Sequence, residues 1–593
     1  MNFVEIIVIA GLVYTVIAYS IDLMFSLLGI LSIRSQRKMY KFGQMDRARF
    51  PSLNILIPCF NEEKSIHKGI RFLQEIDYPN LKIIIINDGS KDRTLDILRQ
   101  KLSVSEIPLQ YQAHIPTQTV RRMYRGSDSR FLVVDKVNGG KADTLNTGIN
   151  LSESELVCCV DADTLIKADA LKKVVMPFLT DRRVVASGGS VRIKNDSEQL
   201  NFFPNRLQSP YKLISTLQVI EYIRSINVAR NSISLLNANL IISGAFGVFK
   251  TGILREIGGY EKFSKGEDLE LLTRIHFHML KQKKRYRIAQ VYQADSFTNA
   301  PESFRELKSQ RKRWQVGLVS TLRTHFFKFF RYPLASITFF SMPYYILFEI
   351  ISPIVQLLII LAIPVLTVLK LIPLQYLLLL LISMIYNSVI NVFFLLLDFS
   401  FSSYYDTADK LKLISTSLVE PFFYHQLNCY WKLLGTVEYM KKVFVRAAWT
   451  PPRGDREYKS QLGKMSVLLN PESEKGLEMV ADYKSLYRDQ IVIIALCGSF
   501  ESSDIVEFQN LVDYFRKKKR KRIILELKEL DNISSDALSM MIQLCNKLKR
   551  EKGGLAVLNP QRKIEDEFKI SNAIKEIKIC KNYSNAIKEV KYG

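Results

Sequence analysis

The chain has 593 residues, with Lys+Arg 83 against Asp+Glu 58, a formal net charge of +25, and 48% hydrophobic residues. That length exceeds one hydrophobic core, and long apolar runs beside ordinary charged segments exclude a purely water-soluble protein, so membrane spans attached to soluble domains are expected. The positive balance would suit nucleic acid, but beside membrane segments it more simply suits an anionic cytoplasmic leaflet and phosphorylated small molecules, and no nucleic-acid partner is expected. The 7 cysteines include no CxxC pair, which argues against a zinc site or a disulfide framework and for a cytosolic redox setting.

In chain order, Phe3 to Leu31 is apolar and long enough to cross a bilayer, and Arg34, Arg37, Lys38 and Lys41 follow it. By the positive-inside rule that end is cytoplasmic, and residues 1–33 read as a retained anchor. Glu5 suits the interface and Asp22 a neighbouring helix. Next comes alternation: strand Leu53 to Pro58, helix Glu63 to Gln74, strand Leu81 to Ile86, helix Arg93 to Leu102, strand Arg130 to Val134. Such alternation predicts a parallel sheet covered by helices, with ligands bound beyond the carboxyl ends of its strands.

The residues after those strands are polar or small: Pro58-Cys59-Phe60-Asn61-Glu62-Glu63, then Asn87-Asp88-Gly89-Ser90, then Asn138-Gly139-Gly140-Lys141. Asp88 suits either a turn cap or a partner for a nucleotide base, and Lys141 either a solvated turn or a phosphate. The run Leu156 to Thr164 is the most pointed, an apolar strand ending in Asp161 and Asp163. Carboxylates so spaced can hold a hard divalent cation, although the spacing also recurs in loops.

Beyond it, Val184 to Val191 reads as a strand and Pro210 to Arg230 as a helix carrying Glu221 and Arg224. The small residues of Ile241 to Gly247 allow a bulky ligand or tight packing, and the pattern leaves both open. Gly266-Glu267-Asp268 opens a helix running to about His278, and His276 and His278 point to different sides of it, which argues against a metal pair. Ser303 to Tyr332 is a basic and aromatic interfacial helix containing Gln310, Arg313 and Trp314. Spans are expected near Ser352 to Leu369 and Leu374 to Leu397, Leu334 to Ile350 being interfacial or a further span, and Leu411 to Leu434 an embedded surface helix. A linker over 450–485 leads to a small α/β pattern: strand Gln490 to Leu496, helix Ser503 to Lys517, basic run Arg516 to Arg522, strand Ile523 to Leu527, helix Ser535 to Arg550, strand Leu555 to Leu558, and a helix from Tyr583.

Taken in order, Pro-x-Phe-Asn-Glu at Pro58, Asp-Gly-Ser at Asp88, Gly-Lys-Ala-Asp-x-Leu-Asn at Gly140, Asp161-x-Asp163, Gly-Glu-Asp at Gly266 and Gln-x-x-Arg-Trp at Gln310 resemble the membrane-bound, inverting family 2 glycosyltransferases, the group of cellulose, hyaluronan and poly-N-acetylglucosamine synthases. The resemblance implies an α/β GT-A catalytic domain over 50–315, interfacial and transmembrane helices over 316–440, and a nucleotide-sugar donor such as a UDP-sugar. By the same resemblance Pro58, Asn61, Glu63, Asp88, Lys141 and Asp161 bind the donor, and Asp163 with Asp161 holds Mg2+ or Mn2+. Asp268 is then the general base, and Gln310, Arg313 and Trp314 serve the diphosphate and the acceptor. Gly266 stands where many of these synthases carry Thr.

The tail, 486–593, resembles a STAS domain through Ile533-Ser534-Ser535-Asp536-Ala537-Leu538 and Lys552-Gly553-Gly554-Leu555. That likeness makes Ser535 the candidate phosphorylation site and a regulatory protein or kinase the candidate partner, although Ser534 replaces the usual Asp and Ala537 the usual Gly. The expected protein is a multi-pass plasma-membrane synthase with both soluble domains cytoplasmic, extending a β-linked polysaccharide. Transfer of one sugar to a lipid-phosphate carrier is the alternative chemistry, and a STAS-bearing anion transporter the non-enzymatic one.

Overall fold

The computed structural model describes residues 3–40, 49–197, 206–447, 478–482, 491–517 and 521–592, apart from 263, 552, 572, 581 and 582. Lys41, the linker as far as residue 477 and the middle of the basic run Arg516 to Arg522 lie outside the described residues. The chain forms two compact units, Met1–Met440 and Lys441–Gly593.

The first unit is built on a ten-stranded sheet. Its strands are β1 Leu53–Cys59, β2 Leu81–Asn87, β3 Ser105–Ile107, β4 Val120–Arg125, β5 Phe131–Lys136, β6 Leu156–Cys159, β7 Leu165–Ile166, β8 Val184–Ile193, β9 Gly247–Lys250 and β10 Arg287–Thr298. Their order is β3-β4-β5-β2-β1-β6-β9-β8-β10-β7, and β5, β2, β1 and β6 run parallel to their neighbours in that group. Alternate residues of β1 and β2 enter separate cores on the two faces. Leu53, Ile55, Ile57, Ile83 and Ile85 pack on one side, Leu56, Ile84 and Ile86 on the other, which is why these strands read as continuous apolar runs rather than alternating ones.

The second half of the sheet is mixed: β9 runs antiparallel to both β6 and β8. Its longest strand, β10, has no apolar run in the sequence because it buries polar residues. Asp295 pairs with Arg192 at 2.7 Å, Gln290 donates to the Gly189 carbonyl at 2.7 Å, and Ser296 to that of Ser190 at 3.0 Å. Partners of this kind let polar residues occupy a buried strand.

Among the described residues, three helices are long and apolar enough to cross a membrane: Phe3–Gln36, Ile337–Val368 and Gln375–Phe401. The segments expected separately around Leu334 to Ile350 and Ser352 to Leu369 form the one middle helix. Its first half is π-helical at Ile337–Ser341 and Tyr345–Ile351, where Pro343 and Pro353 remove amides from the ladder and widened turns accommodate the loss. The charges acting on Asp22 are those of Arg224, Glu349 and Lys432, so it faces other elements of the bundle. The last turn of Gln375–Phe401 is fixed to the sheet, because Arg192 holds Asp398 at 3.1 Å and Asp295 at 2.7 Å with all three side chains buried. The expected surface helix over Leu411 to Leu434 is two helices, Thr407–Val419 and Tyr424–Ala447, separated at Glu420-Pro421.

In the second unit β12 Ile491–Phe500, β13 Arg522–Ile533, β14 Gly554–Leu558 and β15 Lys578–Cys580 pair in parallel. Glu478–Asp482, expected within the linker, is β11 and adds antiparallel to β12. Helices Ile505–Lys517, Ser535–Arg550, Arg562–Ile570 and Tyr583–Tyr592 accompany the sheet. Phe508, Met541, Phe568 and the inward residues of β12 and β13 make an independent core.

Candidate active site

The carboxyl ends of β1, β2, β5 and β6 open on one edge of the sheet, and the predicted residues gather there. Pro58 lies beyond the end of the β1–β6 ladder, which stops at Leu56↔Cys159, so its missing amide costs no bond to that strand. The next loop is tied to the one after β2. The Asn61 amide donates to Ser90 Oγ at 3.0 Å and Asn61 Oδ1 accepts from the Lys91 amide at 2.9 Å, while the Glu63 amide donates to Asp92 Oδ2 at 3.1 Å. Asn61 has φ 56, a region that Asn tolerates better than most residues. Asn61 and Glu63 therefore shape this rim before any ligand is considered.

Asp88 is 3% exposed. Its Oδ1 accepts from Lys136 Nζ at 2.8 Å and from the Gly139 amide at 2.9 Å, and its Oδ2 from the Gly140 amide at 2.8 Å. A carboxylate has about four lone-pair sites, so three are spent holding the glycine loop that delivers Lys141. Below the loop Lys136, wholly buried, also pairs with Asp143 at 2.9 Å, and Lys262 pairs with Asp143 as well at 2.5 Å. Gly140 stands at φ 81, where glycine is at ease. Lys136 carried no signal in the sequence and Asp143 none beyond its place in a motif, since their roles come from Lys136 meeting both Asp88 and Asp143 in space.

Lys141 opens the helix Lys141–Leu151 and reaches Asp161 at 2.6 Å and Glu267 at 3.4 Å. Burial would lower its pKa, but the charges of Asp161, Asp268 and Glu267 prevail and hold it above the usual lysine value. Withdrawal from bulk water, followed by the charge of Asp161, raises the Asp163 carboxyl. Glu62, the acid of the Pro-x-Phe-Asn-Glu motif though not among the residues expected to bind the donor, is raised by burial and by the charges of Asp163, Asp92 and Asp161, against a hydrogen bond from Ser65. No group of three or more His, Cys, Asp or Glu among the described residues forms a metal cage. Asp161 and Asp163 still form a repelling acidic pair of hard oxygens, the donor set with which one or two carboxylates hold Mg2+ or Mn2+ when diphosphate oxygens complete the shell.

Asp268 lies in the first turn of the helix Glu267–Lys281. Its Oδ2 accepts from the Gly244 amide at 3.0 Å. Desolvation, with the charges of Glu267 and Asp161, pushes its carboxyl up to about 7, against the pull of Lys141 and the Gly244 amide. A Cβ on Gly244 would stand 2.8 Å from both Asp268 oxygens. The small residues of Ile241 to Gly247 thus admit this carboxylate in close packing. The two histidines are structural: His276 is buried against the Asn239 carbonyl at 3.0 Å, and His278 contacts Glu256 at 2.8 Å.

The helix Phe304–Phe330 carries the remaining predicted residues. Arg313 is exposed, Trp314 is 43% exposed, and Gln310 Oε1 is buried without a hydrogen-bond partner among the described residues. The buried arginine is instead Arg311, at 2.6 Å from Glu221 and 4.4 Å from the centre of the Trp314 ring, so one face of that indole is already occupied. The same helix touches the Asp268 helix backbone to backbone. A Cβ on Gly266 would lie 2.9 Å from Gly317 Cα, which accounts for glycine where Thr is common.

Residues 54–258 match the Glycosyl transferase family 2 model. The chain carries a family 2 glycosyltransferase domain. The span following this glycosyltransferase domain, 262–405, matches a chitin synthase model, and 486–586 matches the STAS domain. The mixed α/β sheet is thus the GT-A-type core that the motifs implied, followed in the chain by a STAS fold. Among curated proteins the chain is similar to the poly-beta-1,6-N-acetyl-D-glucosamine synthase of Staphylococcus epidermidis, 29% identical over 265 residues, 45% of this chain and 54% of the relative. The same synthase of Staphylococcus aureus (strain COL) is 28% identical over 291 residues, 48% of this chain and 60% of the relative. The chain therefore spans little more than half the length of the curated relatives it matches. A solved mannosyltransferase from Pyrobaculum calidifontis, in complex with GDP-Man and Mn2+, overlaps 72% of this chain and 99% of its own at 18% identity and a TM-score of 0.40.

In the STAS domain, Ser534 caps the helix Ser535–Arg550 by accepting from the Ala537 amide at 3.2 Å. Ser535 stands exposed at the first helical position, and the neighbouring Asp536 is held by Ser502 Oγ at 2.6 Å.

Proposed function

We propose that this protein is a membrane-embedded inverting glycosyltransferase that transfers a sugar from a nucleotide diphosphate donor to a growing β-linked polysaccharide. UDP-N-acetylglucosamine is the proposed donor, because the similar relatives are poly-beta-1,6-N-acetyl-D-glucosamine synthases. The observation that carries the reading is the convergence of Lys141, Asp161, Glu267 and Asp268 on one sheet edge, with Asp268 about 7 and held by a backbone amide. A general base works best when its pKa lies near the working pH, and neutrality is where Asp268 stands.

In this mechanism Asp268 takes the proton of the acceptor hydroxyl as that oxygen attacks the anomeric carbon. The bond from that carbon to the diphosphate oxygen breaks in the same in-line displacement, which inverts the configuration. Lys141 meets the diphosphate with an ammonium that its acidic neighbours keep charged, and Arg313 presents an exposed guanidinium to the same group. Asp161 and Asp163 would hold Mg2+ or Mn2+, whose charge neutralises the departing diphosphate. Asp88 fixes the glycine loop and keeps one acceptor site for a base. Pro58, Asn61 and Glu63 form the rim of the nucleotide pocket, while Gln310 and Trp314 face the acceptor.

In this reading the protein is a multi-pass plasma-membrane enzyme with both soluble domains in the cytoplasm, which the candidate spans and the basic residues after the first of them support, and the STAS domain is its regulatory tail. Phosphate on Ser535 would be favoured by the helix terminus beneath it, with a kinase or a docking protein as partner. Purified full-length protein in lipid nanodiscs, given labelled UDP-N-acetylglucosamine, UDP-glucose or GDP-mannose, tests the function through released nucleotide and product length. A β-linked polymer from one donor is expected. A single lipid-linked sugar refutes the polymer reading, and no transfer from any nucleotide sugar refutes the whole.

A further inference from the structure

The basic run Arg516 to Arg522 has no part in the chemistry above, and the fold gives it company. β12, β13 and β14 start level with one another, since Ile491 pairs with Arg522 and Arg522 with Gly554. The helix Ile505–Lys517 leads back to that edge before β13, and the helix Ser535–Arg550 leads back to it before β14. The two connections touch there. The Gly554 amide donates to the Lys521 carbonyl at 3.0 Å, and Lys521 leaves no room for a Cβ on Gly553. Glu551 pairs with Arg516 and, at 3.4 Å, with Lys521.

One end of the domain therefore gathers Arg516, Lys521, Arg522, Lys547, Lys549 and Arg550, of which the last three are exposed. They outnumber the acids beside them: Asp513 and Glu551, which pair with Arg516, and Glu576, whose carbonyl accepts from Lys549 at 3.1 Å. Cations in a last helical turn complement the helix dipole, which accounts for Lys547, Lys549 and Arg550. It does not account for a run that leaves its helix and stays basic into β13. The opposite end has the other sign. Glu501, Asp504, Asp531 and Asp536 lie where β12 and β13 finish, Ser502 Oγ reaches Asp536 at 2.6 Å, and Ser535 opens its helix at this end. The domain is polarised along its strands, basic where they begin and acidic where they finish.

Cations spread over two connections fit an extended array of anions better than one small phosphate, which meets two or three of them at a time. The chain keeps such an array within reach. Residues 448–477 join the domain to the helix Tyr424–Ala447 of the unit that carries the spans, and even fully extended they cover only about 100 Å. A bilayer is thus held near the domain at high effective concentration, whereas a nucleic acid must arrive by diffusion.

We propose that the basic end of the STAS domain docks on anionic lipid headgroups of the cytoplasmic leaflet, with the Ser535 end turned away from the bilayer. The inference uses the membrane topology of the proposed function and nothing of its chemistry. Clusters of about four to eight Lys and Arg beside a membrane are attracted to its acidic lipids. The same leaflet repels Glu501, Asp504, Asp531 and Asp536, and this fixes the orientation.

Lysine acetylation of the full-length chain, read by mass spectrometry, tests it in nanodiscs of phosphatidylcholine alone or with about 30% phosphatidylserine. At low salt Lys521, Lys547 and Lys549 react at least about threefold more slowly in the anionic discs, and the difference vanishes near 1 M salt, where the Debye length is about 3 Å. Lys563, exposed at the acidic end and 3.4 Å from Asn532 Oδ1, is the internal reference and keeps its rate in both discs. The K547Q/K549Q/R550Q variant, changed only at exposed positions, loses most of the protection of Lys521. Equal rates of the three lysines in the two discs overturn the inference, and so does equal slowing of Lys563. Slowing of the three by inorganic phosphate or single-stranded RNA in neutral discs, with none from phosphatidylserine, also overturns it, in favour of a soluble anion. None of these results depends on nucleotide release, so the transferase reading stands or falls separately.

Discussion

Replacing Asp268 by Asn tests the centre of the proposed chemistry with almost no change of shape. Its Oδ1 can still accept from the Gly244 amide, which lies 3.0 Å from the carboxylate it replaces. What disappears is the capacity to accept a proton and one of the three charges that keep Lys141 protonated. Loss of a general base costs about 10²- to 10⁴-fold, or roughly 3 to 5 kcal/mol at 1.36 kcal/mol for each factor of ten. Nucleotide release from labelled donor in nanodiscs measures it, and turnover within about threefold of wild type refutes the assignment.

The same residue fixes a pH profile. Asp268 must be ionised to act, and with its carboxyl at about 7 the rate rises with pH through neutrality, one unit below the midpoint leaving about a tenth of the activity. A carboxyl whose folded pKa lies above the ordinary 3.8 keeps a proton that the unfolded chain has released, so its contribution to stability falls as pH rises from about 4 to 7. Asn carries no such cost, and D268N should unfold at higher temperature than wild type at pH 8. A lower melting temperature there, or a rate independent of pH between 6 and 8, contradicts the shift.

Gly244→Ala sets a methyl 2.8 Å from both Asp268 oxygens and should lower turnover by at least about tenfold while nucleotide binding persists, as read by competition with labelled UDP. Gly266→Thr drives a side chain into Gly317 and should destabilise the first unit by about 1 to 3 kcal/mol, seen as an earlier thermal transition; an unchanged transition would mean the two helices separate freely. Asp163→Asn should raise the Mn2+ concentration for half-maximal activity, and an unaltered metal titration removes Asp163 from the metal's shell. Ser535→Asp should change polymer output in cells relative to Ser535→Ala, and identical output from the two counts against a phosphorylation switch at that helix terminus.

The sequence alone was enough to locate the spans, the parallel half of the sheet and the ordered motifs, because each is written in contiguous residues: apolar runs for the helices and for β1, β2 and β6, and polar residues just after those strands. It also offered Lys141, Asp161, Asp163 and Asp268 as candidates. What it could not express is any role created by meeting across the chain. β10 was missed because a strand that buries Gln290, Asp295 and Ser296 does not look like one until Gly189, Arg192 and Ser190 are beside it. Lys136 became a support of the glycine loop only when β5 brought it to Asp88 and to Asp143. Arg311 and Arg313 are two positions apart on one helix, and composition does not say which is buried against Glu221 and which stays free. Local pattern determines which elements form and which groups could react, whereas tertiary structure decides which of those groups lose water and which charges face them, and that sets their chemistry.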